Sequence, residues 1–150
     1  MPPEYRLPFP ETVEKKIVRP TGEYAHENFP ESRYAIDFLL DIDTPILAAR
    51  GGRVIRIKSD SDKHGLDAKL ANEANYVAIN HGDGTYAEYI HLGKDRVEVR
   101  EGQDVNAGNL LGYSGLSGCM SHPHLHFNAF KIEDGKGVSI PVEFTEPAPK

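Results

Sequence analysis

Three histidines crowd into five positions of the chain, residues 122–126, where a proline and a leucine separate them. Imidazole is the commonest metal ligand in proteins and the side chain whose charge changes near neutral pH. If this segment is a β-strand, alternating side chains place His124 and His126 on one face and Leu125 and Phe127 on the other. The spacing therefore predicts a metal-binding or acid–base pair that faces a cleft, unless the segment is a histidine-rich loop without a chemical role.

Two further residues could complete such a site. Asp37 interrupts the apolar run of residues 34–40, and carboxylates are rarely buried without a partner. A metal ion would satisfy this carboxylate, and so would a set of backbone amide donors. His91 ends another apolar run, in which alternation places it on the same face as Ala87 and Tyr89. Tyr89 is accordingly expected either to line the cleft or to pack in the core.

Three other histidines are expected to have simpler roles. His81 directly precedes a Gly-Asp-Gly turn and is expected to stabilise it. His64 lies in a polar segment and is expected to be solvated. His122 precedes a proline, which interrupts strand pairing, and is expected at the rim of the site.

Composition limits the kinds of protein that this chain can be. Its 150 residues suit one domain, and 39% hydrophobic with 27% charged residues are typical of a globular protein. The formal net charge of −6 and the lack of a basic run argue against nucleic acid as a partner. No apolar run is long enough for membrane insertion, and the N-terminus lacks the apolar core of a secretory signal. Nothing in the sequence indicates an oligomeric state.

Cysteine usage restricts the metal chemistry. Cys119 is the single cysteine, so an intrachain disulfide and a cysteine-cluster zinc site are both excluded. The His-Glu-x-x-His helix motif is also missing. Any metal must therefore be held by histidine and carboxylate side chains.

The apolar pattern predicts a mainly β fold with few or no helices for residues 33–144, since no segment keeps a 3.6-residue period. Glycine-containing turns at 51–52 and 82–84 each separate two β-type runs and predict hairpins. Apolar residues and glycines alternate every three positions in residues 99–112, which predicts tight turns between very short strands. The polar residues 59–73 predict a long exposed loop with a helical turn.

The chain divides into three parts. Residues 1–21 are rich in proline and charge and are predicted to form an extended N-terminal arm. Residues 22–144 are predicted to form the functional domain, and residues 145–150 a flexible tail. Within the domain, residues 59–73 and 114–121 are expected to form the walls of a groove beside the site.

The chain resembles the catalytic domain of peptidase family M23, the lysostaphin- and LytM-like zinc endopeptidases that cleave peptidoglycan. The resemblance runs from about residue 22 to residue 130 and is carried by four blocks. Each block is weak alone, but their order and spacing are specific. The blocks are Tyr34-Ala35-Ile36-Asp37-Phe38, residues 43–54, His81-Gly82-Asp83-Gly84 with Tyr89-Ile90-His91-Leu92, and Gly102-Gln103 through His124-Leu125-His126-Phe127.

The resemblance implies a single-domain antiparallel β-sheet fold of the lysostaphin/LytM type with an open groove. It implies one Zn²⁺ ion per chain, with Asp37 and His126 among its ligands and with His91 and His124 as catalytic imidazoles. It further implies hydrolysis of the peptide cross-links or stem peptides of bacterial peptidoglycan, and hence a location outside the cytoplasm.

Two positions depart from the family pattern. The usual first ligand is a histidine four residues before the aspartate, but this chain has Arg33 there, whose guanidinium stays protonated and cannot ligate. One branch of the family supplies the histidine from further upstream, and His26 matches that arrangement. His26 is therefore predicted as the third zinc ligand. The second departure is Asn128, at a position where the family usually has Glu.

Two other hypotheses stay open. A degenerate domain of the same fold would bind wall peptides or activate another hydrolase without catalysis, and Arg33 favours this hypothesis. The retention of all four remaining site residues argues against it. A carrier module of the biotinyl or lipoyl type would explain the glycine spacing in residues 99–112. Such modules need an exposed lysine at the hairpin tip, and these residues contain none.

Overall fold

The computed structural model describes residues 4–12, 16–18, 33–119 and 123–145, and this part of the chain is almost entirely β. It also contains a short 3₁₀ helix, Ala68–Glu73, which begins where the Asp67 carboxylate accepts a hydrogen bond from the Lys69 amide. In chain order the strands are β1 (Tyr5–Arg6), β2 (Lys16–Val18), β3 (Ile36–Leu39), β4 (Pro45–Leu47), β5 (Gly52–Lys58), β6 (His64–Gly65), β7 (Asn75–Asn80), β8 (Thr85–Val97), β9 (Asp104–Val105), β10 (Leu110–Ser114), β11 (Gly118–Cys119), β12 (His124–Glu133), β13 (Lys136–Ile140) and β14 (Phe144–Thr145).

Most of these strands join one antiparallel sheet. Seven of them follow the order β2-β3-β12-β8-β7-β5-β9, while β10 pairs with both β4 and β8 and β13 pairs with β12. Two short parallel pairs, β1 with β14 and β6 with β11, form separate small sheets. The prediction of a mainly β, antiparallel fold with few helices is confirmed.

The hydrophobic core lies against one face of the central strands. Along β3 and β12, the alternate residues Ile36, Phe38, Leu125 and Phe127 are buried. This two-residue period is the one that a half-buried strand requires. Burying a side chain of this size typically contributes about 1.5–3 kcal/mol relative to leaving it exposed. The opposite face of the same strands is left to carry polar side chains.

The residues around β1, which belong to the predicted N-terminal arm, pack into this core. Tyr5, Leu7 and Phe9 are all buried. The Phe9 ring meets the Phe38 ring edge-to-face, with 5.1 Å between centroids. Main-chain pairing of β1 with β14 fixes the segment to the other end of the described chain.

The two predicted hairpins have different outcomes. β7 and β8 are antiparallel neighbours, which confirms the hairpin at 82–84, and its two glycines have φ of +89° and +93°. The prediction of a hairpin at 51–52 is wrong, because β4 pairs with β10 whereas β5 pairs with β7 and β9. Gly52 lies inside β5, where a Cβ atom would collide with the carbonyl oxygen of Asn80. This glycine permits a close approach of two strands and makes no turn.

The polar and glycine-spaced segments form short elements. Residues 59–73 contain β6 and the 3₁₀ helix, and residues 99–112 contain β9 and the start of β10. The tight turns predicted in the second segment are confirmed by φ of +91° at both Gly102 and Gly108. None of the helical residues described here forms a segment long and apolar enough to cross a lipid bilayer.

Candidate active site

β3 and β12 pair antiparallel and bring one carboxylate beside two imidazoles. Asp37 lies directly opposite His126, and Leu39 lies opposite His124. Residues that are directly opposed across a ladder share one face of the sheet. The polar side chains therefore emerge from the face that the core leaves free, and the predicted common face of His124 and His126 is confirmed.

Asp37 is the centre of this cluster. Its Oδ1 atom lies 3.2 Å from Nδ1 of His126 and 3.8 Å from Nε2 of His124. The side chains of Asp37, His124 and His126 are only 13%, 10% and 14% exposed. At this degree of burial, charges interact more strongly than they would on an open surface.

His91 enters the cluster from β8 through an irregularity in the ladder. Ile90 pairs with Tyr76 and Leu92 pairs with Asn75, so His91 is an extra residue without an opposite neighbour on β7. Its φ of +78° lies in the left-handed region, which is uncommon for a residue other than glycine. An extra residue of this kind is a β-bulge, and bulges next to active sites re-aim side chains.

The bulge turns the His91 ring toward the other two imidazoles. Its ring centroid lies 4.6 Å from that of His124 and 6.1 Å from that of His126. The predicted common face of His91 with Ala87 and Tyr89 is wrong, because both of those residues are fully buried in the core. Side chains of β8 alternate regularly between the two faces of the sheet as far as residue 90, and the extra residue then places the His91 side chain on the opposite face from the one predicted.

Tyr89 is a core residue and does not line the cluster. Its hydroxyl accepts a hydrogen bond of 2.8 Å from the Ala49 amide. Its ring packs edge-to-face on Phe127, with 5.2 Å between centroids. Complete burial raises the pKa of the Tyr89 phenol.

A backbone carbonyl fixes the position of the proton on the His91 ring. Nδ1 of His91 lies 2.6 Å from the carbonyl oxygen of Ser117. Because a carbonyl oxygen only accepts, Nδ1 must carry the hydrogen. Burial, followed by the neighbouring imidazoles of His124 and His126, lowers the pKa of His91 to about 3. The ring is therefore neutral at pH 7, and its lone pair lies on Nε2.

Two of the three predicted metal ligands are described, and they converge. The imidazole of His126 and the carboxylate of Asp37 are donors of the types that Zn²⁺ takes in three-ligand catalytic sites. The third predicted ligand, His26, lies outside the described residues, as does His122. Within the described ranges, no group of three or more His, Cys, Asp or Glu side chains is arranged as a metal site. The donor chemistry fits zinc, and the described part supplies two of the three expected ligands.

The two departures from the family pattern lie outside the cluster's centre. Arg33 is exposed in a turn before β3. Asn128 is buried, donates from Nδ2 to Glu88 Oε1 at 3.1 Å, and accepts at Oδ1 from the Ser139 hydroxyl at 2.8 Å. The Ser139 hydroxyl in turn accepts from the Tyr34 amide at 2.9 Å. Asn128 thus ties β12 to β8 and β13 and, through Ser139, to the chain that enters β3.

The two segments predicted as groove walls lie side by side next to His91. β6 and β11 pair in parallel, with His64 opposite Gly118, and the Gly118 amide donates to the Lys63 carbonyl at 2.8 Å. His64 is exposed, as predicted. The Ser117 carbonyl that binds the His91 ring belongs to the second of these segments, so one wall contacts the cluster directly.

Two buried polar residues beside the bulge are missed by the sequence analysis. Asn75 and Ser117 are both 0% exposed, and they are hydrogen-bonded to each other and to the backbone of Leu92. A polar residue at the start of the apolar run 76–79 is the one signal that points to Asn75. No signal points to Ser117, since serine is ordinary in a glycine-rich loop.

Comparisons with known proteins point to one family. The family described as peptidase family M23 matches residues 31–140 of the chain. This range contains all four clustered side chains and most of the central sheet.

Similar proteins include two bacterial relatives and two solved structures. Lysostaphin from Staphylococcus staphylolyticus is 33% identical over 95 residues, which make up 63% of this chain and 18% of that protein. Peptidoglycan DD-endopeptidase ShyA from Vibrio cholerae serotype O1 is 33% identical over 114 residues, or 70% of this chain and 24% of that protein. The chain therefore spans a quarter or less of the length of these relatives.

The solved structures confirm the predicted fold type. The solution structure of lysostaphin has a TM-score of 0.62 at 22% identity and covers 90% of this chain and 51% of that one. The crystal structure of a zinc-containing peptidase from Vibrio cholerae has a TM-score of 0.63 at 20% identity, covering 95% of this chain and 41% of that one. The antiparallel β architecture is shared over nearly the whole chain.

Proposed function

The chain belongs to peptidase family M23, and from that premise we propose that it is a zinc-dependent endopeptidase that hydrolyses peptide bonds in bacterial peptidoglycan. The observation that carries the proposal is the convergence of Asp37, His91, His124 and His126, which come from three different strands. A largely buried carboxylate among three imidazoles combines metal-ligand chemistry with acid–base chemistry in one place.

We assign Asp37, His126 and His26 as the residues that would hold zinc. Asp37 and His126 are already adjacent, and His26 comes from the residues that are not described. When bound, zinc supplies a Lewis acid that polarises a carbonyl oxygen and acidifies a water molecule. Three protein ligands would leave a position open for substrate chemistry, as catalytic zinc sites require.

The other two imidazoles are assigned to proton transfer and to stabilisation of the reacting carbonyl. His91 has its hydrogen held at Nδ1 by the Ser117 carbonyl, so Nε2 is the atom at which it can take a proton. His124 lies on the same face of β12 as His126, and its ring lies against the His91 ring. A general acid–base group of this kind typically accelerates a reaction about 10²–10⁴-fold.

The substrate assignment is supported by the relatives. Lysostaphin and the DD-endopeptidase ShyA share about a third of their aligned residues with this chain. Peptidoglycan lies outside the cytoplasm, so the proposal places the protein there as well. The segments that contain β6 and β11 are proposed as the groove walls that select the peptide bond.

The proposal is tested by incubating the zinc-loaded chain with purified cell walls and measuring new amino groups and released peptides by mass spectrometry. We expect release that stops in chelator and returns when zinc is added back. Release that continues at the same rate in chelator would contradict the zinc assignment. No release from walls of different cross-link types, with zinc bound, would favour the degenerate wall-binding domain instead.

A further inference from the structure

The β-bulge that carries His91 is held by a small network of buried hydrogen bonds, and its members come from three separate segments. Asn75 begins β7, Ser117 precedes β11, and Ser61 lies in the segment before β6. Asn75 and Ser117 are 0% exposed and Ser61 is 5% exposed. Buried polar groups of this kind are stable only when they are hydrogen-bonded, so the partners of each one define the network.

The side chain of Asn75 uses both ends of its amide. Nδ2 donates to the Leu92 carbonyl at 3.1 Å and to the Ser61 carbonyl at 2.8 Å. Oδ1 accepts from the Ser61 amide at 3.0 Å. The first of these bonds fixes the peptide group between Leu92 and Gly93, one residue beyond His91, and the other two fix the loop beside it.

Ser117 connects Asn75 to the His91 ring. Its hydroxyl accepts from the main-chain N–H of Asn75 at 2.9 Å and donates to the Leu92 carbonyl at 2.8 Å. Its carbonyl accepts the hydrogen of His91 Nδ1 at 2.6 Å. One residue thus joins the bulge backbone to the imidazole that the bulge presents.

The backbone of His91 needs such support. A residue other than glycine with positive φ is strained and persists only where its surroundings determine it, and His91 has a φ of +78°. The Leu92 carbonyl receives two donors, and the His91 carbonyl accepts from the Gly115 amide at 3.0 Å. The two peptide groups that follow the left-handed residue are therefore fixed by residues distant in sequence.

We propose that Asn75 is a positioning residue whose side chain, through the Leu92 carbonyl that Ser117 also binds, holds the His91 imidazole in its reactive orientation and Nδ1-protonated tautomer. This proposal rests on the proposed function for its kinetic consequence, but not for its structural one. Among the described residues, the Asn75 side chain bonds to the backbone of Ser61 and Leu92, and Leu92 directly follows His91, so we expect its effect on catalysis to pass through His91.

The kinetic test uses a double-mutant cycle on the zinc-loaded full chain. We expect Asn75→Ala to lower kcat by about 10–100-fold, the range typical of residues that orient a metal-site group, with KM and zinc content unchanged. Ser117→Ala, the second variant, keeps the carbonyl of residue 117 and should lower kcat less than Asn75→Ala does. In a His91→Ala background, Asn75→Ala should change kcat by less than about twofold, because the group it positions is gone.

Asn80→Ala is the matched control. Asn80 ends the same strand, and its side chain accepts only from the Gly82 amide at 2.8 Å among the bonds described. It should therefore leave kcat unchanged in both backgrounds. Equal fold losses for Asn75→Ala with and without His91 would overturn the proposal, since they would indicate a general structural effect.

A spectroscopic readout separates this proposal from the proposed function. In ¹⁵N spectra of the metal-free protein, His91 should be the Nδ1–H tautomer in the wild type and in Asn80→Ala. That signature should be lost in Asn75→Ala and weakened in Ser117→Ala, where the carbonyl of residue 117 remains but is held less firmly against Nδ1. Unchanged His91 signals in both of those variants would overturn the positioning role. A wild type that shows the expected signals but cleaves no peptidoglycan would sink the proposed function and leave the positioning role standing.

Discussion

β12 and β8 deliver imidazoles to the same cluster in different ways. On β12, His124 and His126 follow plain alternation, with Leu125 and Phe127 buried on the other face. On β8, alternation would point His91 into the core, and an extra residue with φ of +78° reverses it. The regular strand needs only its own residue pattern, whereas the bulge needs buried partners from elsewhere in the chain.

The two strands also differ in backbone strain. A strand in extended conformation holds its side chains without backbone strain. The left-handed residue is strained, and its surroundings must compensate. Strain and precise support are thus concentrated on one of the two imidazole-bearing strands, and substitutions on the two should have different consequences.

The largest effect is expected on the regular strand. His126→Ala removes a proposed zinc ligand. Loss of a single acid–base group typically lowers the rate about 10²–10⁴-fold, and kcat/KM should fall further than that here. Peptide release from purified cell walls measures the change. Lys131→Ala, an exposed position on the same strand, is the control and should keep wild-type activity. Activity retained within tenfold in His126→Ala would remove this residue from the ligand set.

Tyr89→Phe tests which side of the bulge belongs to the core. The substitution leaves the buried Ala49 amide without its acceptor, and we expect a loss of about 1–3 kcal/mol in the free energy of unfolding. Urea unfolding measures it. Because Tyr89 does not reach the cluster, kcat should stay unchanged. A large fall in kcat with unaltered stability would mean that Tyr89 acts in the site.

The pH dependence of stability tests the burial of His91. Its folded pKa of about 3 lies below the ordinary unfolded value of 6.5, so the unfolded state binds the proton more readily. The stability contributed by neutral His91 is complete above pH 6.5 and is lost as the pH falls toward 3. Between pH 7 and pH 5, the metal-free wild type should lose about 2 kcal/mol more than His91→Asn does. Parallel losses in the two proteins would show that His91 is not held neutral by burial.

The smallest expected effect compares the backbone conformations at His91 and His124 directly. Asparagine tolerates the left-handed region and valine does not, so His91→Val should be less stable than His91→Asn by about 1–2 kcal/mol. In the extended strand, His124→Val should be at least as stable as His124→Asn. Urea unfolding of the four metal-free variants gives the comparison. The same valine–asparagine difference at both positions would mean that the bulge is not strained.

The regular part of the site can be predicted from the sequence because alternation is a local property. Asp37 among apolar neighbours and the histidine pair on one strand face both follow from the two-residue period. The orientation of His91 cannot be predicted in this way. A single inserted residue reverses the face, and the bonds that fix it connect Asn75 and Ser117, which lie far apart in the chain.

The fold shows the same division. The mainly β class and the hairpin at 82–84 follow from composition and turn chemistry. The failed hairpin at 51–52 shows why glycine alone is ambiguous, since Gly52 is required by the approach of the Asn80 carbonyl and not by a turn. Contacts between distant strands decide such positions, and local patterns do not encode them.

The zinc content of the purified wild-type chain, prepared in zinc and then freed of loosely bound ions, tests the central claim most directly. The account predicts about one zinc ion per chain. The ion should be lost in Asp37→Asn and retained in Asp41→Asn, which changes an exposed aspartate two residues after the end of β3. A wild-type chain that holds no zinc, or an Asp37→Asn variant that holds as much as the wild type, would contradict it.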